Sequence, residues 1–444
     1  MSQVQNDLTQ GSVTRQLIRY AVPVVTTSLL QAVYMLVDML IVSHLLGPDG
    51  ASAVTNGGQT MDVLTKVAIG LSNGGNILVG QYFGARDKEN QEKTIGTFLT
   101  LFLLLGAGMS VAAFALSGPF MAFMGAPSLA DATAYLSVST WGLFFIYGYN
   151  CIASILRAVG NSKAALRFIL VSTGINVVLD YLFVGPMGMG VAGAALATVL
   201  AQGMSFLQAL LYLLRRREIF SFRPAYFRLL GSKVKLIFQV GVPCAVQMTV
   251  AGISWLSVTY LINDYGVVYS AANGFSSRIK DFSQMFISAT SVAASSMIAQ
   301  NLGAHRYDRA KQVMYTAMKM TLLMSLVLIA VMELGAPLFM RIFTTAPEEI
   351  AAGALNLRIE ILGQVFYAVF LIYHSLMTGS GHTWWVFFSS FSNCILFRLI
   401  LALVFNHLWG ITGIYIACAV APSISIPIGM YYTRLGHWRR SLAD

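Results

Sequence analysis

Charge is what this chain has least of. Of its 444 residues, 28 are Lys or Arg and 18 are Asp or Glu, only 10% in all, against 57% hydrophobic. A soluble domain carries about 25% charged residues to cover its surface, so an ordinary soluble enzyme and a disordered chain are both excluded. Cysteine is scarce too. Cys151, Cys244, Cys394 and Cys418 each fall inside an apolar helical run, with no Cys or His at ligand spacing, which excludes a disulfide scaffold and a cysteine metal site. They read as small packing residues. There is no His-x-x-x-His pair, no glycine-rich phosphate loop and no serine-centred elbow, so no enzyme or cofactor is expected.

What the chain has in abundance is apolar run. The ~30 Å hydrocarbon core of a bilayer takes about 20 apolar residues as a helix, and backbone groups there are satisfied within helices. Twelve spans are predicted: 17–44, 52–80, 94–117, 131–158, 163–184, 189–214, 236–263, 268–299, 312–334, 355–378, 384–406 and 410–433. The polar stretch Met1 to Gly11 lacks the basic, apolar, small-residue order of a cleavable signal, so the first helix is expected to be retained.

The formal net charge of +10 would point to nucleic acid if the basic residues clustered on a soluble face. They do not, and no nucleic-acid partner is expected. With the N-terminus inside, 21 of the 28 basic residues fall on cytoplasmic segments and Arg341 alone on the opposite side, the other six lying within or near spans. The positive-inside rule then places both termini in the cytoplasm and the chain in the plasma membrane, with slight affinity for anionic lipid.

The two halves repeat. Val22-Pro23 recurs as Val242-Pro243, and Gly80-Gln81-Tyr82-Phe83-Gly84-Ala85-Arg86 as Ala299-Gln300-Asn301-Leu302-Gly303-Ala304-His305. Gly160-Asn161-Ser162 matches Gly381-His382-Thr383, and Gly190-Val191-Ala192-Gly193-Ala194 matches Gly410-Ile411-Thr412-Gly413-Ile414, at offsets of 220, 219, 221 and 220. The predicted architecture is therefore an all-α polytopic membrane protein with two pseudo-symmetric six-helix lobes around a central cleft. Residues 1–214 form the N-terminal lobe, 215–235 a cytoplasmic linker and 236–444 the C-terminal lobe. An even number of spans per half gives parallel repeats, the transporter type whose lobes can rock. A compact carrier of this kind needs no partner chain, and a monomer is expected.

An ionisable side chain at mid-membrane costs about 2.5–3.5 kcal/mol on insertion scales and needs a partner or a function. Gln31, Tyr34 and Asp38 share one face of the first helix; Thr173, Asn176 and Asp180 share one face of the fifth. Neither Asp has a basic residue within a turn. The pair suits reversible proton uptake or a bound cation, Na+ included; the alternative is that each carboxyl bonds neighbouring Ser, Thr or Asn and fixes packing. Asp62 and Lys66, acid first at i,i+4, read as a structural ion pair. On the eighth helix Asn273, Ser277, Asp281, Gln284, Ser288, Ser291 and Ser295 form a polar stripe expected to line the cleft, where Arg278 could neutralise Asp281. Glu360 and Arg398 are further cleft candidates, Glu360 having Arg358 as an alternative partner. Tyr34, Trp141, Tyr147, Tyr149, Trp255, Met35, Met248, Met285 and Phe286 supply aromatic and adaptable surface of the kind a polyspecific site for lipophilic cations would use, although most must pack or face lipid.

Val37-Asp38-Met39-Leu40-Ile41-Val42-Ser43-His44-Leu45-Leu46-Gly47, Gly80 to Ala85, Leu156 to Lys163, Asn176-Val177-Val178-Leu179-Asp180 and Gly193 to Thr198 together resemble the multidrug and toxic compound extrusion (MATE) family, bacterial type, over nearly the whole chain. The resemblance implies a cation-coupling chamber at Asp38, Asn176, Asp180 and Thr198, and a substrate chamber at Gln31, Tyr34 and Asn150. Asn273, Asp281, Gln284 and Glu360 are added as substrate-contact candidates from their polar positions. A family branch with a seventh-helix Glu is not matched, since Gln247 stands there and that helix has no acid. The implied activity is export of lipophilic, often cationic compounds in exchange for H+, more than Na+, with the first helix reshaped around Pro23. Two rivals stand beside it. One is a flippase for lipid or lipid-linked precursors, from the same superfamily but with more helices and a more basic cavity. The other is a non-transporting receptor or scaffold, which would leave the unpaired acids unexplained.

Overall fold

The computed structural model describes residues 7–125 and 128–442. Backbone groups in hydrocarbon find acceptors only within their own helix, and the described residues accordingly form helices and turns without a strand. The helices are α1 (Val13–Ala85), α2 (Lys88–Phe123), α3 (Leu129–Ser139), α4 (Gly142–Ala158), α5 (Ser162–Val184), α6 (Gly190–Leu214), α7 (Gly231–Asn263) and α8 (Val267–Gly303). They continue with α9 (Tyr307–Met340), α10 (Pro347–Leu362), α11 (Gln364–Gly379), α12 (Thr383–Phe391), α13 (Arg398–Trp409), α14 (Ile411–Val420) and α15 (Ser425–Leu435).

The expected spans all fall on helical segments, but the bounds differ. α1 joins the first two spans through Gly47, whose φ of 69° breaks the helical path. α3 and α4 meet at a bend of 43°, α10 and α11 at one of 44°, and a π-helical turn, Ser392–Phe397, separates α12 from α13. Among the described residues nine helices are long and apolar enough to cross a membrane, or up to eleven with the bent pairs. The arm of α1 after Gly47 is not among them: it carries Asp62, Lys66, Asn56, Asn73 and Asn76, and polarity of this kind is what a hydropathy test rejects. Several helices exceed the bilayer. The 37 residues of α8 rise about 55 Å at ~1.5 Å per residue, so its end stands in water.

Backbone conformation carries the internal repeat further than sequence identity does. Left-handed residues pair across the halves: Gly47 with Gly266 (φ 69° and 97°), Arg86 with His305 (60° and 54°), Gly160 with Gly381 (81° and 84°) and Gly190 with Gly410 (62° and 61°). Each pair is 219 to 221 residues apart. Arg86 and His305 are the telling ones, because a residue with a side chain visits this region at a cost of about 1–2 kcal/mol, and both do so where a helix ends.

Two compact units result. Among the described residues, unit 1 comprises Asp7, 22–125 and 128–245; unit 2 comprises 8–21 and 246–442. Within unit 1, α4 packs on α2, α5 and α6, and α3 lies against α6. Its core includes Phe98, Phe102 and Tyr147, all fully buried, with edge-on contact at 4.6 Å between the two phenylalanines. The expected linker is fastened to this unit: Lys88 Nζ donates to the carbonyls of Glu218 and Ile219 at 2.6 and 3.0 Å, and Ser221 bonds Glu92. The start of α7 also belongs here, with Gly241 against the Leu71 backbone.

In unit 2, α8 packs against α9, α10 and α11, and α13 forms a hairpin with α14. One core cluster holds Met332, Ala336, Met340, Leu357 and Ile361; another holds Val258, Ile262, Ala402, Ile414 and Tyr415. The first turns of α1 are tied into this unit, with Leu8 N donating to Gln300 Oε1 at 3.0 Å and the Tyr20 hydroxyl donating to Ser296 Oγ at 3.1 Å.

Candidate functional site

Unit 1 holds a cavity of about 230 Å³ between α1, α4, α5 and α6. Helical spacing explains its lining. Gln31 and Tyr34 are three residues apart on α1, Thr173 and Asn176 on α5, and Thr198 and Gln202 are four apart on α6, so each helix presents one polar stripe. Asn150 and Tyr149 come from α4. The lining contains no charged side chain.

One turn beyond Tyr34 and Asn176 lie Asp38 and Asp180. Asp180 is fully buried, Asn176 is 2% exposed and Asp38 half-buried. The two carboxyl groups, 142 residues apart in sequence, lie close enough to act on each other electrostatically, and among the described residues no lysine or arginine acts on either. Asp38 Oδ1, both Asp180 oxygens and both polar atoms of the Asn176 side chain have no hydrogen-bond partner. Two ionised carboxylates are acceptors only and cannot bond each other; with a proton between them they can. Around them, Tyr34 lies beside Thr198, while Tyr135, packed in unit 1, lies in the field of both acids. The structure thus gathers Asp38, Asn176, Asp180 and Thr198 with Tyr34, Gln31 and Asn150 in one region. The packing-only alternative is not what is seen at Asp180, whose oxygens meet no Ser, Thr or Asn. Among the described residues no group of three His, Cys, Asp or Glu could hold a metal ion.

The other predicted contacts lie in unit 2 and do not line this cavity. Asn273 Oδ1 accepts from Asn356 Nδ2 at 3.1 Å, both residues being buried. On the same α8 stripe, Ser288 meets the Tyr367 hydroxyl at 3.3 Å and Ser291 donates to the Leu371 carbonyl at 2.9 Å, so much of its polarity is answered by α11. Gln284 is half-buried and Asp281 exposed, near Tyr367. Glu360 is buried and ion-paired with Lys280, 80 residues away, and not with Arg358, which turns to Glu333 at 3.8 Å. A buried carboxylate already held by an ammonium has one fewer site to offer a substrate. Asp62 and Lys66 pair at 2.6 Å as expected, about half exposed.

Pro23 is buried in α1. Its missing N–H opens the ladder, and three hydroxyls follow it: Thr26 donates to Val22 O, Thr27 to Pro23 O and Ser28 to Val24 O. Such back-bonding bends helices, and the division between the two units falls at residues 21 and 22. All four cysteines are free and buried. Sequence reasoning missed Thr65 and Gln202 in the cavity and Lys280 as the partner of Glu360. Gln202 was legible as the residue one turn past Thr198. Gly142 leaves room for its amide, since a Cβ there would overlap Gln202 Oε1.

The family model MatE matches residues 23–182 and again 243–404, each match starting at one of the two repeated prolines. The chain belongs to the MatE family. It is similar to the probable multidrug resistance protein YoeA of Bacillus subtilis (strain 168), 28% identical with 84% of this chain and 83% of that protein covered. The probable multidrug resistance protein YpnP of the same strain is 26% identical, covering 98% and 97%. In fold the chain is similar to a crystal structure of MATE in complex with MaL6, with a TM-score of 0.92, 22% identity and 98% and 99% of the two chains covered. This MatE chain is a multi-pass membrane protein and a secondary transporter, not an enzyme.

Proposed function

We propose that the chain exports small organic molecules across the plasma membrane in exchange for a cation, H+ before Na+, held between Asp38 and Asp180. The observation that carries this reading is the closeness of two carboxyl groups, with no basic neighbour among the described residues, at the end of a polar, uncharged cavity. Like charges in contact in a low-dielectric site favour taking up one positive charge. A proton satisfies the pair with one hydrogen bond; Na+ would also use the free Oδ1 of Asn176. Tyr34 and Thr198 connect this site to the cavity, so charging or discharging the acids alters the wall that a substrate touches. The aromatic faces of Tyr34, Tyr149 and Phe145 suit a lipophilic cation, in keeping with relatives named for multidrug resistance.

In this reading the carrier works as a monomer with both termini in the cytoplasm. Movement of its two halves is accommodated at Pro23. One charge crossing 100 mV supplies about 2.3 kcal/mol, enough for a roughly 50-fold substrate gradient. The test is ethidium flux in proteoliposomes under a pH gradient and, separately, a sodium gradient, with Asp180→Asn beside the parent. Flux driven by pH and lost in the variant is expected. Uphill export at the parent rate by Asp38→Asn, Asp180→Asn would refute the assignment.

A further inference from the structure

Unit 2 buries more positive charge than negative at one place. Trp255 on α7 has two cations on its ring: Lys280 Nζ at 4.0 Å from the centroid and the Arg398 guanidinium at 4.5 Å. Glu360 approaches from the end of α10 and pairs with Lys280. The Cys418 thiol lies in the field of Glu360, Arg398 and Lys280 together, which makes the three charges one cluster. Lys280, Glu360 and Arg398 are 5%, 7% and 6% exposed.

The ledger of partners is uneven. Lys280 has its carboxylate. Arg398 has a long contact to Ser254 Oγ at 3.5 Å and a share of the Trp255 ring, while its Nε has no partner at all. Ser254 is itself committed, donating to the Cys394 carbonyl at 2.6 Å. A guanidinium brings five donors in a planar fork suited to carboxylate or phosphate, and burying it without a counter-ion is costly. Trp255 offsets part of that cost, yet the same ring already serves Lys280. Arg398 also follows directly on the π-helical turn Ser392–Phe397, a rare element frequent at functional sites.

We propose that Trp255, Lys280 and Arg398 form a binding site in unit 2 for the anionic group, carboxylate or phosphate, of an amphiphilic molecule. Arg398 supplies the forked donor, Lys280 adds long-range attraction while remaining paired, and the half-buried Trp255 gives an apolar face for the attached hydrocarbon. The site is independent of the Asp38 and Asp180 region and of the ion used there. Its anion could come from a free amphiphile or from a lipid headgroup, which share this chemistry.

The test places the full chain in nanodiscs of phosphatidylcholine and reads energy transfer from tryptophan to pyrene. One arm adds pyrenebutyrate, a second adds the matched pyrenebutyl-trimethylammonium, and a third builds pyrene-labelled phosphatidylglycerol into the disc. Saturable binding of an anionic probe is expected. Arg398→Gln should weaken it by about ten- to a hundred-fold, the worth of a charged hydrogen bond, with Arg398→Lys in between and the cationic probe unmoved. Saturation by pyrenebutyrate identifies a free amphiphile; saturation by the labelled lipid alone identifies the headgroup. Absence of saturation by both anions, or Arg398→Gln binding as tightly as the parent, overturns the proposal. If neither variant folds, the parent decides: a preference for the cationic probe over both anions overturns it equally.

Discussion

Removing one member of the Lys280–Glu360 pair should hurt unit 2 far more than removing both. The two side chains, Lys280 on α8 and Glu360 on α10, are 7% and 4% exposed, so neither charge reaches water easily. Breaking a buried pair from one side costs about 3–5 kcal/mol, whereas exchanging both partners for apolar residues of similar volume is often neutral. The two single variants should also differ. Lys280→Met strands Glu360, whose Oε1 already lacks a partner. Glu360→Met leaves Lys280 over the Trp255 ring, which retains up to about 2 kcal/mol of cation–π attraction. We therefore expect a loss near 4 kcal/mol for Lys280→Met, near 2 for Glu360→Met and under 2 for the double variant. The implied coupling is at least about 4 kcal/mol. The measurement is reversible unfolding in dodecylmaltoside micelles titrated with dodecyl sulfate. Additive losses, or a double variant weaker than either single one, would refute the reasoning.

Three further outcomes follow from groups at the helix ends and at one helix crossing. Asp87 caps α2 by accepting from Asn90 N at 3.0 Å, and its bonds to the Asn90 side chain and backbone hold its carboxyl below the usual value of 3.8. Its stabilising effect is therefore complete above pH ~3.8 and lost as pH falls through the lower folded value. Asp87→Ala should cost about 1 kcal/mol at pH 7, and Asp87→Asn should keep the cap while flattening the acid limb of a melting-temperature profile. His382 is held below the ordinary 6.5, by burial first and then by His437 and Arg440, and Tyr432 lies 2.7 Å from its Nδ1. The unfolded chain takes up that proton first, so stability should be intact above pH ~6.5 and decline below it; His382→Gln melting with the same pH slope would contradict this. Gly241 packs against backbone, and a Cβ there would sit 2.7 Å from the Leu71 carbonyl oxygen and 2.9 Å from its Cα. Gly241→Ala should cost about 1–3 kcal/mol, and unchanged unfolding would show that α7 can shift.

Helix positions, the repeat and the polar stripes were legible because each depends on neighbours within a few residues or on a fixed offset. The 3–4 spacing of Gln31, Tyr34 and Asp38, and of Thr173, Asn176 and Asp180, put the right groups on the right faces before any packing was known. The π turn before Arg398 and the bend between α10 and α11 were not legible, since hydropathy is blind to how a helix is wound. Glu360 was misjudged for a related reason. Arg358 is near it in sequence, but residues two apart on a helix point to different sides, and the true partner comes from another helix.

By itself the sequence determined that this is an all-helical membrane chain built from two related halves. Those properties rest on composition, on runs long enough to cross a bilayer and on motifs repeated about 220 residues apart. Only the tertiary structure decided which charges meet. It brought Asp180 to Asp38 across 142 residues, gave Lys280 to Glu360 across 80 and left Arg398 with a shared indole ring. Pairings of that kind are set by which helix faces pack together, and a buried charge takes its character from what lies a few ångströms away in space.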